Sequence, residues 1–122
     1  MTITIYGIPN CDQIKKTLAW FIARGVDVAF HDYKKRGIDV STLRNWMTQV
    51  DWSVLVNRAG TTWRKLPEDI RASVNSAAAA AQVLRNNPTL IKRPVLVNDQ
   101  TVVVGFDAVR FTALIDHAGT GR

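Results

Sequence analysis

Residues 2–33 read TITIYGIPNCDQIKKTLAWFIARGVDVAFHDY, and their pattern predicts the first half of the fold. Residues 2–6 alternate polar and apolar side chains, which predicts a strand, and the turn-forming residues 7–10 end it. Residues 26–33 predict a second strand. Between them the apolar residues recur at helical spacing, and Gly25 is a natural stop: Ile14, Leu18, Phe21 and Ile22. This order predicts a parallel pair of strands joined by a right-handed crossover.

The rest of the chain predicts a helical block and a second half. The block contains a helix capped by Asp39 or Ser41, a turn or helix over 63–66, and an alanine-rich helix that follows Ser76. Residues 94–97 and 101–104 predict two strands around a hairpin-type turn. A last helix then places four apolar residues on one side: Val109, Phe111, Leu114 and Ile115. We therefore expect one α/β domain over residues 1–122 with a thioredoxin-like fold, made of a βαβ half and a ββα half with a helical insertion over about 39–91.

Composition limits the function classes. The chain of 122 residues has 47% hydrophobic and 21% charged residues, as in ordinary globular proteins. No apolar run approaches the ~20 residues of a membrane span, and the first residues do not resemble a signal peptide, so we expect a cytoplasmic protein. The net charge of +6 favours anionic partners, but no nucleic-acid-binding motif accompanies it. His31 and His117 are too isolated to indicate a metal site, and none is expected.

Cys11 is the only cysteine, and its position favours a reactive thiol. It follows the first predicted strand, at the sheet edge where ligands usually bind. It also lies at the start of a predicted helix, where unpaired N–H groups and the helix dipole favour a thiolate, and Lys15 adds positive charge one turn later. A lone cysteine is most often a small buried apolar residue. The neighbours here are polar or turn-forming, which favours a nucleophile: Pro9, Asn10, Asp12 and Gln13.

Four segments resemble the ArsC/Spx family. They are YGIPNCDQIKKTLAW (6–20), LVNRAGTTWRKL (55–66), LIKRPVLV (90–97) and VVVGFDAVRF (102–111). The resemblance is strongest to the small YffB-type branch of that family. Its members have a thioredoxin-like fold and one essential cysteine after the first strand. The resemblance therefore implies that Cys11 is the nucleophile, that Arg58 and Arg93 face the site and bind anions, and that Pro94 is the cis-proline beside the cysteine.

Three positions depart from relatives with other chemistry. Arsenate reductases of the family carry a third arginine where this chain has Gly105, and a histidine where it has Gly7. Regulators of the Spx type use a Cys-x-x-Cys switch, whose second position is Ile14 here. The arsenate site is therefore expected to be incomplete, and the internal dithiol switch is missing.

A single cysteine needs an external thiol to resolve a mixed disulfide, and glutathione is the candidate. Lys15 with Arg58 or Arg93 would hold one end of this anionic tripeptide. By analogy with glutaredoxins, the turn Gly105-Phe106-Asp107 would hold the γ-glutamyl group, with helix N–H groups on its carboxylate and Asp107 on its ammonium. Asp107 is equally suited to be a plain helix N-cap.

The expected function is that of a monothiol, glutathione-dependent thiol–disulfide reductase. Its partners would be glutathione as co-substrate and a disulfide or oxyanion substrate, with glutaredoxin as a further candidate. Two alternatives stay open. One is a glutathione- or glutaredoxin-linked arsenate reductase, and the other is an Spx-like regulator that binds RNA polymerase without turnover.

Overall fold

Four strands form one mixed sheet. The computed structural model describes residues 2–99 and 101–120, with side chains to residue 116, so the side chain of His117 lies outside the described residues. The strands are β1 (Ile3–Gly7), β2 (Val28–Asp32), β3 (Val95–Asn98) and β4 (Thr101–Val104), in the order β2-β1-β3-β4. β1 is parallel to β2 and antiparallel to β3, and β3 is antiparallel to β4. With the helices that follow β1 and β4, this is the predicted thioredoxin-like fold.

Two long helices accompany the sheet. Helix α1 (Asp12–Ala23) ends before Gly25, whose φ of +67° is readily available only to glycine, and α8 (Ala108–Thr120) is the last helix. The second strand is shorter than predicted, because Tyr33 already begins the short helix α2 (Tyr33–Arg36). A buried cluster joins sheet and helices: Ile3, Ile5, Ile14, Phe21, Leu96, Val103, Phe111 and Leu114.

Two apolar residues that the helical pattern assigned to the core are exposed. Ile22 on α1 is 73% exposed, and Val109 on α8 is 80% exposed. Both helices form, but the buried face of each is narrower than the set of apolar residues in its sequence. Ile22 and Val109 each lie beside the buried stripe rather than within it, since Phe21 and Phe111 fill the core positions.

The chain divides into two compact units. One comprises the described residues up to Tyr33 and from Arg93 onward, and the other is Lys34–Lys92. The second unit contains α3 (Val40–Trp46), α4 (Trp52–Leu55), α5 (Thr61–Lys65), α6 (Glu68–Ser73), α7 (Ala77–Asn86) and a 3₁₀ turn (Pro88–Leu90). Ser76 caps α7 by accepting a hydrogen bond from the Ala79 N–H at 3.2 Å. The sequence pattern did not predict α6. Every helix in the described ranges is too short or too polar to cross a bilayer.

Candidate active site

Cys11 is the N-cap residue of α1. Its backbone is extended, with φ −133° and ψ 128°, and its carbonyl accepts the Lys15 N–H at 2.9 Å. The thiol makes no capping hydrogen bond. It is half-buried and packs against the buried cluster. The sulfur thus lies where the first helical N–H groups have no intrahelical partner, and these groups favour a negative charge.

The charged side chains of the first turn act on that position in opposite directions. Lys15 is exposed and brings a positive charge, as the sequence suggested. Asp12 is also exposed and is the first residue of α1, where its carboxylate offsets part of the positive end of the helix dipole. The helix N-terminus is therefore only one part of the electrostatics around the thiol.

Gly7 and Ile14 form a close contact between the end of β1 and helix α1. Gly7 is buried at the end of β1, and a Cβ placed there would overlap Ile14 Cδ1 and lie 2.7 Å from Ile14 Cγ1. Ile14 is fully buried in the core cluster. These are two of the positions at which the chain departs from its relatives. A histidine side chain at position 7 has no room while isoleucine occupies position 14. The glycine at position 7 and the isoleucine at position 14 are therefore linked by packing.

Arg93 and Pro94 lead into β3. The Arg93–Pro94 peptide bond is cis, in agreement with the expectation for Pro94. Pro94 is buried and Arg93 is half-buried. The Pro94 carbonyl accepts the Gly105 N–H at 2.8 Å, which joins the loop after β4 to this segment. Gly105 has φ +86°, a conformation that the arginine of arsenate reductases could adopt only with strain.

Tyr33 is a site residue that the sequence analysis missed. Its side chain is fully buried, and its hydroxyl is hydrogen-bonded to the Arg93 guanidinium. Burial raises the pKa of Tyr33, the Arg93 guanidinium opposes the rise, and the nearby Cys11 and Asp32 add to it, so that the pKa is about 12. The available signal was its position as the last residue of VDVAFHDY, at the carboxyl end of the second strand.

The segment from Gly105 to Asp107 serves the fold in two ways. Phe106 packs against the same core cluster as Cys11, and the Lys16 ammonium lies 4.1 Å from the centre of its ring. Asp107 caps α8, because its Oδ1 accepts the Arg110 N–H at 3.1 Å. Its Oδ2 lies 3.6 Å from Arg110 Nε. The capping role that the sequence allowed is therefore present, and a role in ligand binding stays a prediction.

Arg58 belongs to the second unit. It is exposed, and its guanidinium lies 5.4 Å from the centre of the Trp63 ring. The preceding Asn57 accepts the Ala59 N–H at 3.2 Å and so shapes the loop that carries Arg58. The other predicted residues all fall in the first unit: Cys11, Lys15, Arg93, Pro94, Gly105, Phe106 and Asp107.

Metal ligands are not gathered in the described part of the chain. No group of three or more His, Cys, Asp or Glu residues there could hold a metal ion. His31 lies on β2, and its ring centre is 4.9 Å from that of Tyr6. The chemistry that the site offers is that of a thiol near an arginine and a buried tyrosine.

Comparisons with known proteins identify the family. The model of the ArsC family matches residues 6–114. An uncharacterized protein of Haemophilus influenzae is 42% identical over 111 residues, which cover 91% of this chain and 96% of that protein. The structure of the YffB protein is similar, with a TM-score of 0.87, 41% identity, and coverage of 93% of this chain and 98% of that one. An arsenate reductase (ArsC) related protein from Brucella melitensis has a TM-score of 0.72 and 49% identity, with 93% of each chain covered. The chain therefore belongs to the ArsC family and has the fold of its arsenate-reductase-like thiol reductases.

Proposed function

We propose that this protein is a monothiol thiol–disulfide reductase that uses glutathione as its reducing co-substrate, with Cys11 as the nucleophile. One observation carries the proposal: Cys11, at the N-cap position of α1, has a half-buried thiol that lies close enough to Tyr33, the hydrogen-bond partner of Arg93, to act on it electrostatically. Membership of the ArsC family supports the enzyme class. A reducing cytoplasm, where glutathione is abundant, is the compartment that we propose with it.

The reaction needs one cysteine and two exchange steps. The Cys11 thiolate attacks the glutathione sulfur of a mixed disulfide. A Cys11–glutathione disulfide forms, the substrate S–S bond breaks, and the substrate sulfur leaves as a thiolate that takes a proton from water. A second glutathione thiolate then attacks the glutathione sulfur held on Cys11. Oxidised glutathione leaves, Cys11 returns as the thiolate, and the substrate has gained the two electrons.

Arg93 is the residue best placed to hold a carboxylate of the tripeptide. It directly precedes the buried Pro94, and guanidinium groups bind carboxylates through paired, charge-assisted hydrogen bonds. Lys15 is exposed and would add longer-range attraction for the anion. For Arg58, an anion-binding role stays a prediction from the resemblance to the family. Pro94, Gly105 and Phe106 would shape the adjacent surface, since Pro94 and Gly105 are already hydrogen-bonded to each other.

Asp107 already has a partner within the protein. Its carboxylate already receives the Arg110 N–H and lies 3.6 Å from Arg110 Nε. A γ-glutamyl ammonium would therefore have to share Asp107 with Arg110 or replace it. The Arg110 ion pair is exposed and weak, so such an exchange costs little.

Arsenate is the less favoured substrate. A compact oxyanion on Cys11 needs several cationic donors, and Gly105 replaces one that arsenate reductases carry. One charge-assisted hydrogen bond is worth about 1.5–3 kcal/mol, or roughly 10–150-fold in an equilibrium. Arg110 is exposed and paired with Asp107, so it does not fill that place. We expect turnover of a small mixed disulfide to exceed arsenate turnover when both are coupled to glutathione oxidation, and the opposite ranking would contradict the proposal.

Mass spectrometry after treatment with oxidised glutathione tests the first step. The native protein should gain the mass of one glutathionyl group, and Cys11→Ser should gain none. Added reduced glutathione should then remove the group and restore the original mass. An unmodified native protein, or an adduct that excess glutathione does not remove, would contradict the mechanism.

A further inference from the structure

The carboxyl edge of the parallel strands gathers three side chains from distant parts of the sequence. Gly7 is paired with Asp32 in the β1–β2 ladder, so the chain leaves both strands at the same edge. Cys11 follows β1 there, and Tyr33 follows β2. β3 runs antiparallel to β1, so Arg93, two residues before its start, also approaches this edge.

The donor and the acceptor of the Tyr33–Arg93 hydrogen bond can be assigned. A guanidinium has only donors, so the tyrosine oxygen must accept the hydrogen bond. The tyrosine side chain is fully buried, whereas Arg93 is half-buried. Tyr33 is therefore held in place by the core around it, and its hydroxyl in turn fixes the orientation of the Arg93 guanidinium.

The tyrosine hydroxyl orients the arginine without offsetting its charge. With a pKa of about 12, Tyr33 is neutral at physiological pH. A carboxylate in its place would also accept the hydrogen bond, but its charge would cancel that of the guanidinium. A neutral acceptor orients Arg93 without reducing its attraction for an anion.

We propose that Tyr33 is a positioning residue of this site, whose buried hydroxyl holds the charged Arg93 guanidinium at the edge that carries Cys11 and so makes the thiol prefer anionic reagents. The proposal deepens the proposed function and rests on it for the identity of the natural anion. The preference itself is a property of Cys11, Tyr33 and Arg93, and it can be measured without any enzymatic turnover.

The test compares two alkylating reagents that differ in charge. Iodoacetate is an anion, iodoacetamide is neutral, and both react with the Cys11 thiolate. In Tyr33→Phe the ratio of the iodoacetate rate to the iodoacetamide rate should fall about tenfold, the value of one lost charge-assisted hydrogen bond. Tyr6→Phe removes the same atom from the other tyrosine and should leave the ratio within about twofold of the native value.

A double-mutant cycle separates positioning from a structural role. Arg93→Ala should lower the same ratio, and adding Tyr33→Phe to it should change the ratio no further, because the two residues act as one unit. Urea unfolding of each variant reports stability separately. A Tyr33→Phe protein that loses stability but keeps the native ratio would overturn the proposal, as would a further fall of the ratio in the double variant.

The native protein offers a readout that does not depend on folding of the variant. Nuclear Overhauser contacts between the Arg93 guanidinium protons and the Tyr33 ring should be present, and their absence would overturn the proposal even if Tyr33→Phe did not fold. Failure of the proposed function looks different. In that case the charge preference of alkylation would depend on Tyr33 and Arg93 as described, while oxidised glutathione would leave Cys11 unmodified.

Discussion

The Gly7–Ile14 contact predicts that Gly7→Ala destabilises the protein. Gly7 is in β1, where alanine is sterically allowed, and such a change alone would stabilise by about 0.4–1 kcal/mol through the unfolded chain. The added Cβ, however, would lie 2.7 Å from Ile14 Cγ1 and overlap Cδ1. Ile14 is fully buried and cannot turn outward, so overpacking of about 1–3 kcal/mol applies. We expect a net loss of about 1–2 kcal/mol.

The size of this loss should depend on the side chain at position 14. Ile14→Ala alone should cost about 2–5 kcal/mol, because it leaves a cavity in the core. In that background the methyl group of Gly7→Ala enters the vacated space, so its cost should vanish or become a small gain. The coupling energy should be about 1–3 kcal/mol, measured by urea unfolding followed through tryptophan fluorescence.

Gly60→Ala is the matched control. Its Cβ would approach Asn57 Nδ2 at 2.8 Å, a comparable distance, but that atom is the end of a polar side chain that can rotate away. We expect a cost of no more than about 1 kcal/mol and no coupling to position 14. Costs of Gly7→Ala and Ile14→Ala that add to within about 0.5 kcal/mol would refute the packing argument, and with it the explanation for the missing histidine.

Three further predictions follow from single contacts. Arg93→Ala should slow glutathionylation of Cys11 by about tenfold, whereas substitution of the exposed neighbour in Lys92→Ala should leave the rate within about twofold. Stopped-flow or mass-spectrometric kinetics would measure both rates, and equal losses would show that Arg93 has no special role in binding glutathione. The pKa of Tyr33 is raised from 10.0 to about 12, so the stability that the neutral hydroxyl contributes is fully present below pH 10 and is lost as the pH rises to 12. Over that range the free energy of unfolding should fall by about 2–3 kcal/mol more in the native protein than in Tyr33→Phe. Ser76→Ala removes the cap of α7 and should cost about 1 kcal/mol in urea unfolding; no measurable change would show that the 3.2 Å bond to Ala79 is not maintained in solution.

Local patterns were enough to predict the elements that carry the thiol. The alternation in 2–6 and the helical spacing after Cys11 both depend on neighbours in sequence, and both elements are present with nearly the predicted bounds. Helix α6 was missed because Glu68–Ser73 is only six residues long and has no apolar stripe. The prediction that Ile22 lies on the buried face was wrong, because a period of 3.6 residues shows which side of a helix is apolar but not how wide the buried part of that side is.

The role of Tyr33 could not be deduced from its own neighbourhood. Its hydroxyl meets Arg93, and the two residues are brought together by the order of the strands, with β2 and β3 on either side of β1. Strand order is a long-range property that no local pattern contains. The role of Asp107 as a helix cap was foreseen because capping depends on the next three residues alone.

The Tyr33–Arg93 pair also closes the base of the long insertion. The segment Lys34–Lys92 forms the second unit, and it departs directly after Tyr33 and returns directly before Arg93. The sheet already fixes the positions of both ends, so the entropy of joining them depends only weakly on the length of the segment between them. The entropy of chain closure would therefore change little if the segment between these two ends were longer or shorter, because each doubling of its length costs only about 0.6 kcal/mol.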